Sequence, residues 1–250
     1  MGGEMAERIR MYLTKLNRKV LAILGAIILL ILLINLHRYE VLNIFSFMNE
    51  NIIVIDAGHG GIDGGTGNKN DILEKDINLQ ISAKLKMELI VEGFQVVMTR
   101  EEDISLEHLS DMRGSRYRRD LSARKSIINN NRPLTFISIH CNSSKRSTAR
   151  GIKIYYYPDS IEGEKLAKCI SLSVDENFYK GYMKEENMKS EILTEDFFIL
   201  RETEYPGVLI EVGFLTNPEE NKLLRDDEYQ RQIARAIKKG ILKYLEEARK

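Results

Sequence analysis

The sequence has no tryptophan, four prolines and two cysteines in 250 residues. Two cysteines, Cys141 and Cys169, exclude a disulfide-stapled scaffold, although one bridge between them stays open. Net charge is absent as well, because 37 Lys and Arg balance 37 Asp and Glu. That balance argues against a dedicated nucleic-acid binder, which carries a basic excess, so no nucleic-acid partner is expected. Internal repeats and low-complexity tracts are missing too. With 43% apolar and 30% charged residues, most of the chain should fold.

One long apolar run stands out. Residues 20–36 read VLAILGAIILLILLINL, with Asn35 the one clearly polar side chain. About 20 helical residues span a bilayer, so this is a short membrane-length segment. Arg8, Arg10, Lys15, Arg18 and Lys19 precede it and mainly Arg38 follows, which places the N-terminus on the cytoplasmic side. Small residues suited to signal cleavage are lacking at 34–37. The expected organisation is a cytoplasmic tail (1–19), an uncleaved transmembrane signal anchor (20–36), a linker (37–50) and one extracytoplasmic domain (51–250). A buried core helix is the plain alternative for 20–36.

Within that domain, 52–55 is a short apolar run followed by a glycine-rich loop. Leu73, Ile77, Ile81, Leu85 and Leu89 recur every four residues and predict a helix from Asp71 to about Glu92, closed by Gly93. Residues 94–99, 135–140, 152–157 and 208–212 read as strands, and 120–131, 160–175 and 220–247 as helices. Residues 101–120 form a charged insertion. Strands alternating with helices predict an α/β sheet with helices on its faces.

Three of these strands end in polar groups: Asp56 to Gly61, His140 to Asn142, and Glu211 before Gly213. Ligands of open α/β sheets gather beyond the carboxyl ends of strands. The glycine-rich stretch matches neither G-x-x-x-x-G-K-[ST] nor G-x-G-x-x-G, so a nucleotide is not expected. A metal fits better. His59 lies in a glycine-lined turn, and alternation puts Phe136, Ser138 and His140 on one strand face. Two neutral imidazoles and a carboxylate make a zinc site with a position left for water. Glu74 is the candidate carboxylate, although Asp71-Ile72-Leu73-Glu74 also reads as a helix-capping arrangement. Glu211 interrupts an apolar strand, and a buried carboxylate must be paired, metal-bound or used in catalysis with a raised pKa.

Other polar residues have plainer readings. Cys141 should point away from His140 as a packed thiol, Cys169 should be core, and His37 and His108 should be solvated. The run Arg113, Arg116, Arg118, Arg119, Arg124 and Lys125 reads as a solvated helix face or as a contact for an anionic polymer or a partner. Tyr155, Tyr156 and Tyr157 should pack on the sheet.

Taken in order, IDAGHGG (55–61), EKDINL (74–79), Thr99-Arg100, ISIHCN (137–142), Leu200-Arg201 and VLIEVGFLTN (208–217) resemble the zinc-dependent N-acetylmuramoyl-L-alanine amidases of the amidase-3 family, over about 51–247. The resemblance implies a mixed, twisted sheet of about six strands flanked by helices. It implies zinc held by His59, Glu74 and His140, with Glu211 as the catalytic residue. It implies cleavage of the amide between the lactyl group of N-acetylmuramic acid and L-alanine, with peptidoglycan as the partner. Asn142 and Arg201 match positions near the family's cleft, and Asp56 is placed to hold the loop of His59. A single anchor, no wall-binding repeat and the basic insertion are similar to the family's sporulation branch. Such enzymes act between the two membranes of the developing spore and allow muramic-δ-lactam to form, some with an accessory protein; segment 175–196 could receive one. Lys153 departs from the acidic residue many relatives carry, which bears on substrate contacts and not on the metal. A non-catalytic peptidoglycan-binding protein and a membrane-anchored zinc peptidase are the competing readings.

Overall fold

The computed structural model describes residues 3–8, 10–11, 23, 27–35, 51–67 and 73–248. It divides into two compact units, Met1–Asn49 and Glu50–Lys250. The described residues of the first unit are helical, and Ile27 to Ile34 are exposed. Among the described residues no helix is long and apolar enough to cross a membrane. Much of the expected span (20–22, 24–26 and 36), the linker 37–50 with His37, and Asp71 all lie outside the described residues.

The second unit is built on six strands: β1 (Ile52–Ala57), β2 (Gln95–Met98), β3 (Thr135–Asn142), β4 (Lys153–Tyr156), β5 (Glu191–Thr194) and β6 (Gly207–Phe214). Their order is β2-β1-β3-β6-β4-β5. The first four are parallel, β4 runs antiparallel to β6, and β5 is parallel to β4. The sheet is therefore mixed. Its helices are α1 (Glu74–Val91), α2 (Arg116–Asn131), α3 (Ile161–Ser173), α4 (Phe198–Arg201), α5 (Pro218–Leu223) and α6 (Asp227–Ala248).

Alternation along the central strands sends apolar side chains to both faces, so both need cover. Ile53, Ile55, Ile137, Ile139, Val208 and Ile210 pack against α1, α3 and α6. Ile77, Ile81, Leu85 and Leu89 of α1 are fully buried there, each stabilising by about 2 kcal/mol. Val54, Phe136 and Leu209 face the other way, onto Ile128 of α2 and Ile199 and Leu200 of α4.

Several expected boundaries move. Helix α1 begins at Glu74 after an N-cap Leu73 that makes no side-chain cap, and the Asp71 of the expected capping arrangement lies outside the described residues. Helix α2 starts at Arg116, inside the expected insertion, because Ser115 caps it through Arg118 N. The chain after α3 widens into a π-helical stretch, Val174–Met183. The expected 220–247 helix is two helices that break after Leu223. Strand β5 and helix α4 were not anticipated; both are four residues long, too short for a period to show.

Candidate metal and catalytic site

The carboxyl ends of β1, β3 and β6 meet the N-terminus of α1. After β1 the chain turns at Gly58 and His59, the latter in the left-handed region at φ 60°. Two buried arginines hold this turn. Arg100 donates to the carbonyls of Ala57, Gly58, Lys75 and Glu102 at 2.7–3.1 Å. Arg124 donates to the carbonyls of Ala57 (2.7 Å) and His59 (2.6 Å), to Asp56 (2.8 Å) and to Asp120 (2.5 Å). Asp56 also accepts from the hydroxyls of Thr99 and Ser138, both at 2.7 Å. Burial opposes ionisation of Asp56, but Arg124 and the hydroxyls of Ser138 and Thr99 outweigh it and hold its carboxyl down at about 2. Asp56 thus anchors the loop of His59, as its place before the glycines suggested.

The turn carries His59 to within 3.0 Å (Nε2) of Glu74 Oε1, and β3 brings His140 Nδ1 to 2.9 Å from the same oxygen. One donor atom from each of the three lies within 4.8 Å of the others. Glu74 Oε1 also faces the Cys141 amide at 3.1 Å and Asn78 Nδ2 at 3.3 Å. Four nitrogens crowd one oxygen with two lone pairs, a donor set that a cation between the imidazoles and the carboxylate would relieve. Glu74 Oε2 accepts from Thr66 N at 2.8 Å, which pins the side chain. Burial raises the Glu74 pKa, but His140 and His59 reverse this and hold it well below the usual carboxylate range.

Asp63 supplies the outer support, with Oδ2 2.8 Å from His59 Nδ1. A carboxylate there fixes the tautomer and frees Nε2 to bind a metal. Burial pushes the His59 imidazole down, yet Glu74 and Asp63 raise it to about 9. Glycines close the walls. A Cβ on Gly58 would sit 2.3 Å from His140 ring atoms, and one on Gly65 (φ +67°) would sit 2.6 Å from Glu74 Oε2.

Parallel register sets Glu211 of β6 directly beside His140 of β3. Its Oε2 is buried with no hydrogen-bond partner among the described residues. Burial, opposed by His140 and reinforced by Glu74, raises its pKa to about 7. A carboxylate so placed is poised to exchange protons near neutral pH. All four groups open onto one cavity of about 760 Å³, also lined by Asp63, Thr66, Arg116, Tyr117, Asp120 and Asn142.

Asn142 is thus brought to the cleft, and Arg201 is not. Arg201 pairs with Asp196 (2.7 Å) and Glu202 (2.9 Å) beside a separate hollow. Lys153 turns to Glu191 (3.0 Å) and the Phe214 ring. Both cysteines are free and buried, with Cys141 in the main core. His108 is exposed. Arg124 does not belong with its exposed neighbours Arg113, Arg116 and Arg118, since it is 2% exposed. Its inward turn had a signal in its four-residue spacing from Ile128 on the apolar face of α2. Asp63, four residues past His59, was equally readable.

Comparison with known proteins agrees with this geometry. A family described as N-acetylmuramoyl-L-alanine amidase matches residues 53–243. The germination-specific N-acetylmuramoyl-L-alanine amidase of Bacillus subtilis is 35% identical over 238 residues, 92% of this chain and 97% of that protein. The probable cell wall amidase LytH of Staphylococcus aureus is 30% identical over 77% of this chain, which spans 57% of LytH. Among solved structures, the CwlD amidase from Clostridioides difficile in complex with the GerS lipoprotein has a TM-score of 0.71 and 39% identity, over 79% of this chain and 99% of that one. A N-acetylmuramoyl-L-alanine amidase from Clostridium difficile 630 gives 0.66 and 35%, over 79% of this chain and 98% of that one. With the family spanning most of the folded unit and converging donors at its strand ends, the chain belongs to the N-acetylmuramoyl-L-alanine amidases and is a peptidoglycan amidase.

Proposed function

We propose that His59, Glu74 and His140 hold one zinc ion and that Glu211 is the catalytic acid–base. The observation that carries this reading is the convergence of the three donor atoms within 4.8 Å, beside a buried carboxylate with an unpartnered oxygen. Zinc held there would polarise the amide carbonyl and acidify water. Glu211, whose ionised form a cation beside it favours, takes the proton from the attacking water. The same carboxyl then returns the proton to the departing amine of L-alanine. Asp63 and the Thr66 amide keep His59 and Glu74 oriented throughout. Asn142, on the cavity wall, is placed to donate to the substrate. Arg201 has no part in this reading.

The bond broken is the one between the lactyl group and L-alanine, in spore cortex, where it allows muramic-δ-lactam to form. The name of the Bacillus relative, germination-specific, supports that setting. The complex of the Clostridioides amidase with a lipoprotein supports an accessory lipoprotein for this chain too. Residues 20–36 would anchor the chain, with 1–19 cytoplasmic, 37–50 a linker and the catalytic domain 51–250 between the spore membranes; the composition of 20–36 supports this.

Mass spectrometry of products from glycan strands tests the reaction, using the full chain with zinc, with and without the lipoprotein. Release of intact stem peptides with N-terminal L-alanine is expected. Cleavage inside the peptide would assign a peptidase, and no cleavage with the lipoprotein present a binding protein. Gly58→Ala should fold yet bind zinc about 10–100-fold more weakly, because the His140 ring must move. Competition with a chromogenic chelator measures that loss.

A further inference from the structure

The chain is neutral overall, so local charge is a matter of placement. Between Asp111 and Asp120 stand four arginines and no acid. Exposed Arg150, Arg231 and Arg235 are neutralised by Glu185, Asp227 and Glu88, while Arg132 and Arg146 have no carboxylate partner among the described residues. The four arginines of 113–119 differ in standing together. Arg113 and Arg118 have no carboxylate partner among the described residues, and Arg119 reaches the Gly114 carbonyl. Arg116 is 3.9 Å from Glu107 Oε1, a loose and half-exposed pairing. Three of the four fall in the first turn of α2, which has no acid to offset the helix dipole. A local preference broken this way marks a site kept for another purpose.

Arg116 differs from the other three in lining the reaction cavity with His59, His140 and Glu211. Among the described residues it is the one arginine or lysine there, against Asp63, Glu74, Glu107, Asp120 and Glu211. A carboxylate entering so acidic a cleft away from the metal position is favoured by a second fixed cation. Stem peptides are anionic. Their second residue is joined through its side-chain carboxyl, which leaves an α-carboxylate on the residue after L-alanine, whose Cα lies about 4 Å from that of L-alanine. A guanidinium fork matches a carboxylate in a way that a lysine does not.

We propose that Arg116, backed by the field of Arg113, Arg118 and Arg119, binds the free α-carboxylate of the second stem-peptide residue and selects against its amidated form. This rests on the reading that a stem peptide occupies the cleft.

Titration calorimetry tests it without turnover. The full zinc-loaded chain in neutral detergent is titrated with two stem tripeptides that begin with L-alanine. They differ in one group, an α-carboxylate or a carboxamide on the second residue. The carboxylate peptide should bind about 10-fold more tightly at about 0.05 M salt, with the gap narrowing at about 0.5 M. In Arg116→Gln the two peptides should bind alike, and Arg116→Lys should keep part of the gap. Equal binding in the wild type, a gap that survives in Arg116→Gln, or no binding of either peptide overturns the inference. So does a result in which Arg116→Gln loses only affinity for anionic-lipid vesicles, which would assign the patch to a membrane. Hydrolysis of glycan strands by the same preparations reports the amidase reading separately. A chain that stays inactive with the lipoprotein added, yet still prefers the carboxylate peptide, would sink that reading and leave this one standing.

Discussion

Glu211→Gln is expected to lower kcat/KM about 10³-fold and, in the metal-free protein, to raise stability at pH 8. The first effect follows from proton transfer. A positioned general acid–base contributes about 10²–10⁴-fold, and an amide of the same shape can neither take nor return the proton. The second follows from burial. Glu211 titrates at about 7 in the folded chain, against 4.5 for an ordinary glutamate. A carboxyl raised on folding contributes its full stability below its unfolded pKa and loses it as pH climbs through the folded value. The wild type therefore carries a growing penalty between about pH 5 and pH 8, on the order of 2–3 kcal/mol at the top. The glutamine variant carries none. Urea unfolding of the chelated full chain at pH 5 and pH 8 checks this, because the two proteins should match at the lower pH and separate at the higher. Adding zinc should shrink the gap, since a cation beside Glu211 favours its charged form. A variant that is inactive but no more stable at pH 8 would mean that the carboxylate is hydrated in solution.

The same residue shows what the sequence could disclose. Glu211 was legible because it breaks an apolar run, and the cost of an unpaired charge in such a strand does not depend on the rest of the fold. His140 was legible from strand alternation, and His59 from the glycines around it. The central strands announced themselves as apolar runs, because both faces of the sheet are covered. Glu74 was harder. Its spacing from Asp71 imitates a capping box, and only the long-range approach of His59 and His140 shows what its carboxylate does. Arg124 reads as one of a solvated run because, Asp120 apart, its partners Asp56 and the carbonyls of Ala57 and His59 lie more than sixty positions away, and its spacing from Ile128 is the one local sign of its inward turn. Contacts with carbonyls leave no period in a sequence. Arg201 is the opposite case: its place in a family motif suggests the cleft, while ion pairs with Asp196 and Glu202 hold its side chain beside a separate hollow.

Arg124 carries the second large effect. Arg124→Met is expected to destabilise the domain by about 3–5 kcal/mol, because it strands Asp56 as a buried charge. Asp56 is 2% exposed, and without Arg124 it keeps only the Ser138 and Thr99 hydroxyls. Burial would then push its pKa up rather than leave it at about 2. The sign of the pH dependence therefore reverses. In the wild type, the stability Asp56 contributes is present above its unfolded pKa of about 4 and is lost as pH falls through 2. In Arg124→Met the penalty is present above pH 4 and relieved below it, where Asp56 protonates. The two unfolding curves should thus converge on acidification. Replacing the pair together, Asp56→Asn with Arg124→Met, should recover much of the loss, since the strain lies in the unpaired charge and not in the missing contact. What the double variant cannot recover is the loop. Arg124 holds the carbonyl of His59, a residue kept at φ 60°. Zinc affinity should fall about 10–100-fold in both the single and the double variant. Restored stability with affinity still low would separate the two tasks of one guanidinium: neutralising Asp56 and aiming His59. Full recovery of affinity in the double variant would show instead that Arg124 acts on the site only through the stability of the domain.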